Sequence, residues 1–120
     1  MKKASKKSNE LKQAIVNAIL DKKGDSVLEI DLREIESSIA DYFIVCSGNS
    51  PTQVNAIAES VKKEIKDQLG IIPKGSEGKE NANWIIVDYF DIVVHIFQKE
   101  TREYYQLEEL WSDALFVEHE

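Results

Sequence analysis

Apolar residues recur along this chain with two periods, and the switches between them mark out the elements. From Glu10 to Asp21, Leu11, Ala14, Ile15, Ala18 and Ile19 fall on one side of a helix. Lys22, Lys23 and Gly24 end it, with cations in the last turn and then a residue that accepts the left-handed backbone region. Over Ser26–Leu32 the period becomes two: Val27, Glu29 and Asp31 alternate with Leu28, Ile30 and Leu32, as in a half-buried strand. Ile35 and Ile39, four apart within Arg33–Ala40, admit a helical turn. Residues 42–47 are nearly all apolar, which predicts a central strand covered on both faces. Gly48-Asn49-Ser50-Pro51 then opens a helix, with Ser50 as N-cap, Pro51 in the first turn and Gln53 completing a capping box. Its buried stripe is Val54, Ile57, Ala58, Val61, Ile65 and Leu69, and Gly70 stands at the C-terminal cap.

Residues 71–82 read as a loop, and a hairpin follows: Asn83–Asp88, a turn near Tyr89–Phe90, and Asp91–Gln98. An even-length turn leaves Ile85, Val87, Ile92, Val94 and Ile96 on one wholly apolar face. Trp84, Ile86, Asp88, Asp91, Val93, His95 and Phe97 make the other. Residues 100–111 read as one or two short helices, and Ser112–Glu120 as coil or an edge segment. The order α-β-β-α-β-β-α predicts a single α/β domain. Its mixed sheet combines a parallel crossover between 42–47 and 83–88 with an antiparallel hairpin, and helices shield one face better than the other.

Length and composition narrow the picture. At 120 residues the chain is one domain, and 42% hydrophobic against 31% charged residues excludes a disordered chain. The net charge of −7 hides an asymmetry. Residues 1–7 hold four lysines and no acid, leaving 11 basic and 22 acidic side chains in the remainder. An acidic body disfavours phosphate-backbone binding and suits a basic partner. One cysteine excludes an internal disulfide. Without a membrane-length apolar run, signal peptide or Arg-rich transit peptide, the expectation is a soluble cytoplasmic protein.

Two chemistries compete with simple binding. Ser47-Gly48-Asn49-Ser50 at a helix N-terminus is the kind of turn that small nucleotidyltransferases use for phosphates, but those enzymes need a metal-binding Asp-x-Asp pair just after it, and none is there. An ordinary capped helix start is favoured. His95 with Asp88 and Asp91 resembles an oriented base, but no nearby nucleophile completes it. Cys46, in the most apolar strand, reads as structural, as do Tyr104, Tyr105, Leu107, Leu110 and Trp111, while Glu108, Glu109 and Asp113 read as a solvated face. The mixed hairpin face cannot be wholly buried without partners for its charges, nor wholly wet without exposing aromatics. That favours a protein-binding surface over an enzyme pocket.

Three blocks resemble the Iojap family of ribosomal silencing factors. They are Ala40–Ser50 with Gln53-Val54 and Ala56-Ile57-Ala58; Glu77-Gly78, Trp84–Tyr89 and Asp91–Phe97; and Arg102, Tyr105, Leu107-Glu108, Leu110-Trp111 and Asp113. The match runs over roughly residues 9–115, between a disordered basic tail at 1–8 and a C-terminal tail at 116–120. The resemblance implies a nucleotidyltransferase-like domain without catalytic carboxylates, metal or cofactor. It implies binding to the large ribosomal subunit through that subunit's protein number fourteen, where the bound factor blocks the small subunit and lowers translation. Homodimers off the ribosome, and roles in ribosome assembly among organellar relatives, are also implied. Nucleotide-binding enzyme and assembly factor remain the alternatives. The expected contacts are Trp84 and Phe97 as apolar anchors, Asp88 against a basic side chain, and His95, followed by Ser47, Asn49, Glu77 and Gly78 at the adjoining strand end and loop. The basic tail, outside the match, is expected to be a solubilising segment, with at most peripheral RNA contact. Phe90 stands where the family usually has glycine in the hairpin turn, so either the turn differs there or Phe90 is strained, and a different turn is expected.

Overall fold

A strand buried on both faces organises the structure, a computed structural model that describes residues 6–35, 40–78, 81–110 and 114–119. Helix α1 (Lys6–Asp21) and strand β1 (Asp25–Asp31) lead to that strand, β2 (Tyr42–Gly48). Then come α2 (Pro51–Leu69), β3 (Gly75–Glu77), β4 (Trp84–Asp88), β5 (Ile92–Gln98), α3 (Lys99–Tyr105), α4 (Leu107–Leu110) and β6 (Leu115–His119). The strands form one mixed sheet in the order β3-β4-β5-β2-β1-β6, with β2 and β5 parallel and every other described pair antiparallel.

The α/β class, the single mixed sheet and the hairpin are as the sequence predicts, but the parallel partner of β2 is β5, not the strand at 83–88. Burial explains the order. In β5 all residues from Ile92 to Phe97 are buried, so it fits beside β2 in the middle of the sheet. In β4 burial alternates, so it fits further out. Three other expectations change. The loop at 71–82 contains β3, a three-residue strand paired with β4. Helix α1 begins at Lys6, inside the expected tail. Residues 116–120, set apart as a tail, belong mostly to β6, an edge strand on β1, which agrees with the edge-segment alternative for Ser112–Glu120. Residues 1–5, Ile39, Trp111 and Asp113 lie outside the described residues.

Helix α2 is capped as its sequence predicts. Ser50 Oγ accepts the Gln53 N–H at 3.1 Å, and Gly70 closes the helix at φ 67°. Gln53 Oε1 accepts the Asn49 N–H at 2.7 Å, while its Nε2 donates to the Lys23 carbonyl at 3.0 Å, tying the end of α1 to the start of α2. These two helices cover one sheet face, where Tyr42, Ile44, Ile85, Val87, Ile92, Val94 and Ile96 meet Ile15, Ile19, Ile57, Val61 and Ile65. The opposite face is covered over β1, β2 and β5 by Leu32, Ala40 and Leu107, with Ile35 and Ala114 at the margin. Toward β4 that cover thins out, and Trp84, Ile86 and Asp88 are half-exposed.

Instead of the different turn expected at Phe90, the hairpin keeps a tight turn and Phe90 takes the strain. The Asp91 N–H returns to the Tyr89 carbonyl at 3.0 Å, a three-residue turn centred on Phe90, whose φ is 71°. Asp88 Oδ1 accepts the Phe90 N–H at 2.7 Å and helps to hold this backbone. Because the Phe90 side chain is exposed, its removal forfeits little packing. Phe90→Gly should therefore raise stability by roughly 0.5–1 kcal/mol, seen as a rise of about 2–4 °C in the thermal midpoint. An unchanged or lower midpoint would show that the turn carries no such strain.

Candidate functional site

The half-covered face is built in rows by strand register. Trp84 lies opposite Phe97, Ile86 opposite His95, and Asp88 opposite Val93. The His95 row continues through Glu77 on one side and Val45 on the other. The even offset keeps the hairpin's two faces as the sequence predicts, except that Asp91 lies in the turn, off the strand surface.

Trp84 is the pivot. Its indole Nε1–H donates to His95 Nδ1 at 3.1 Å, and its ring stacks on Phe97 with centroids 4.7 Å apart. Phe43 closes on His95 from β2, edge-on at 4.5 Å. Since Nδ1 accepts, the neutral ring carries its proton on Nε2, and that buried N–H has no partner among the described residues. Burial pushes the His95 pKa down to about 4, so the ring is neutral at physiological pH.

The oriented-base arrangement, already the weaker reading of the sequence, does not form. Asp88 pairs with the Phe90 N–H, and the group that fixes the His95 ring is a donor from tryptophan, not a carboxylate. The phosphate-turn reading also loses ground, because the Asn49 and Gln53 N–H groups are already held by side chains. Cys46 is fully buried and desolvation raises its pKa to about 12, which suits a structural thiol and not a nucleophile. Among the described residues no cluster of His, Cys, Asp and Glu is placed to hold a metal, and no helix is long and apolar enough to cross a membrane.

The expected contact residues separate by depth. Trp84 and Asp88 are half-exposed, and Asn49, Glu77 and Gly78 are exposed. Phe97 is 0% exposed and His95 and Ser47 are buried, so these three support the surface from beneath instead of standing on it. For Phe97 this corrects the expected anchor role: Trp84 stacks over it within the cluster that also holds Phe43 and Leu107, so of the two expected anchors only Trp84 reaches the surface. Gly78, at φ 90°, lies against the Trp84 backbone, where an added Cβ would stand 2.1 Å from the Trp84 carbonyl oxygen.

Two features escaped the sequence reading. Arg102 pins α3 over the sheet: Nη1 donates to the Ser26 carbonyl at 2.7 Å and to Ser47 Oγ at 2.9 Å, and Nε reaches Glu108 at 3.4 Å. An arginine next to an acidic run looks like a solvated face until the fold brings Ser26 and Ser47 to it. Tyr104 and Tyr105, expected in the core with Leu107, are 82% and 52% exposed, whereas Leu107 is buried. They flank a cleft of about 570 Å³ between the β3–β4 loop and α3, with Trp84 in its wall.

Comparison with known proteins converges on one family. The model of the family described as "Ribosomal silencing factor during starvation" matches residues 5–120. A protein of Halalkalibacterium halodurans named "Ribosomal silencing factor RsfS" is 49% identical over 113 residues, 94% of this chain and 95% of that one. A mouse protein named "Mitochondrial assembly of ribosomal large subunit protein 1" is 35% identical over 80 residues, 64% of this chain and 35% of its own length. A crystal structure of a Chromobacterium violaceum protein superimposes with a TM-score of 0.82 at 36% identity, covering 87% of this chain and 85% of that one.

Burial of neutral His95 has a pH signature. The unfolded imidazole titrates near its ordinary 6.5 and the folded one near 4, so between these values the unfolded state takes up a proton that the folded state refuses. Its effect is absent above the unfolded value, grows as pH falls through this window, and levels off below the folded value. The full difference is about 3 kcal/mol. His95→Gln keeps an acceptor for Trp84 but does not titrate. Denaturant unfolding across this window should show the wild type losing more stability than the variant by about that amount, and parallel curves would overturn the assignment.

Proposed function

The chain belongs to the family of ribosomal silencing factors, and from that premise we propose that it represses translation by binding the large ribosomal subunit and sterically blocking the small one. The proposed point of attachment is protein number fourteen of the large subunit. The observation that carries this reading is the half-covered sheet face. Trp84 is fixed in orientation by His95 and Phe97 and half-exposed, and Glu77, opposite Ile86, and Asp88 lie further along the same sheet face. A rigid aromatic on a sheet face that also carries acids fits a basic protein surface with an apolar centre. The acidic body adds long-range attraction to such a partner and repels bare phosphate backbone.

The role is steric, and no reaction is assigned to the chain. The printed name of the mouse relative concerns assembly of the large subunit, which supports that subunit as the partner and keeps an assembly role as the second reading. In a cytoplasmic setting both roles would use the same face. A homodimer through this face would compete with ribosome binding, and it would set acid against acid.

Co-sedimentation with purified large subunits tests the face. Trp84→Ala combined with Asp88→Lys should weaken binding at least tenfold, about 1.4 kcal/mol. Asp88→Lys alone, which leaves the Trp84–Phe97 stack intact, should weaken it less and make its loss with salt shallower, because less attraction is left to screen. Binding of both variants at wild-type strength would place the contact elsewhere. A sucrose-gradient assay of subunit joining with and without the protein tests the consequence. Unimpaired joining with the factor bound would exclude the steric mechanism.

A further inference from the structure

We propose that the cleft beside Trp84 is a cation pocket that takes one arginine side chain of the docked partner. The proposal deepens the docking reading above and rests on it for the identity of the partner.

The argument begins with what Trp84 has left to offer. Its single donor is engaged by His95, and one side of its ring lies on Phe97 at 4.7 Å. What remains is the negative π surface on the cleft side. Tyr105 stands 5.0 Å from it, tilted by 48°, and Tyr104 meets Tyr105 edge-on at 5.1 Å and 89°. All three rings line the cleft, and the tilted and edge-on contacts between them are not a flat stack. A cation within about 6 Å of such rings is held by their quadrupoles, more strongly as water is excluded.

Charge and shape select the occupant. Of the described residues that line the cleft, one is charged, Glu100, and none is cationic. The exposure of Tyr104 and Tyr105 is unusual for aromatics on a seven-residue helix with no buried residue of its own. A guanidinium fits better than an ammonium, because its plane stacks on rings while its fork reaches a carboxylate such as Glu100 and an amide such as Asn83. The cleft volume of about 570 Å³ is ample for one such side chain. Arg102 fixes the helix that carries these tyrosines, so the pocket is formed before the partner arrives.

Two measurements decide the matter. In the first, the full chain is titrated with arginine amide and, separately, with its uncharged isostere citrulline amide. The probe is the Trp84 indole N–H resonance, identified by its absence in Trp84→Phe. Arginine amide should shift that resonance saturably and citrulline amide should not, and Glu100→Gln should weaken the arginine effect roughly threefold. Equal shifts with both compounds, or none with either, would overturn the pocket. In the second, Tyr104→Leu with Glu100→Gln is compared with wild type in co-sedimentation with large subunits, where roughly tenfold weaker binding is expected. Equal binding would overturn this inference and leave the docking reading standing. Failure of the wild type to bind would overturn the docking reading, while the amide titration would still decide whether the pocket holds a cation.

Discussion

Strand β2 must be kept dry on both faces, and most of the architecture follows from that. All seven of its residues, Tyr42 to Gly48, are buried, and its parallel neighbour β5 is nearly as enclosed. A strand of this kind needs a layer on each side. Helices α1 and α2 supply one layer and are joined to each other through Gln53. The second layer is assembled from short pieces: Leu32, Ala40 and Leu107, with Ile35 and Ala114 at the margin. Short pieces reach across β1, β2 and β5 but not across β4. The half-open surface around Trp84 is where this second layer ends.

That boundary explains why the site is mixed in character. Deep rows carry Phe97, Phe43 and a neutral histidine, and the margin carries Asp88, Glu77 and the tyrosines. His95 joins the two zones. It is buried enough to stay uncharged, yet it serves a side chain that reaches solvent. Arg102 does the same work from the other direction, carrying charge inward to hold α3 against Ser47 and the Ser26 carbonyl.

Much of this was legible in the sequence, and the failures have physical causes. Period-two alternation fixed both faces of the hairpin, because the pleat leaves no other choice once the offset is even. The capping residues of α2 were legible because their bonds are local. The sideways order of strands was not, since alternation is the same whichever neighbour a strand takes; β5 displaced β4 beside β2 through its two-sided burial. Strand β3, at three residues, carries too little pattern to detect. Phe97 looked like an anchor because its depth depends on the Trp84 ring stacked over it, and Tyr104 and Tyr105 looked like core because the break at Gln106, with φ 47°, turns Leu107 inward and leaves them outside.

The enclosure of β2 also settles the fate of Cys46. Its thiol is 0% exposed and its pKa rises to about 12, so at neutral pH there is essentially no thiolate for a peroxide or a disulfide to find. It is the single cysteine in the chain. While the chain stays folded, this thiol is therefore a poor target for sulfenylation or for mixed disulfides with small thiols.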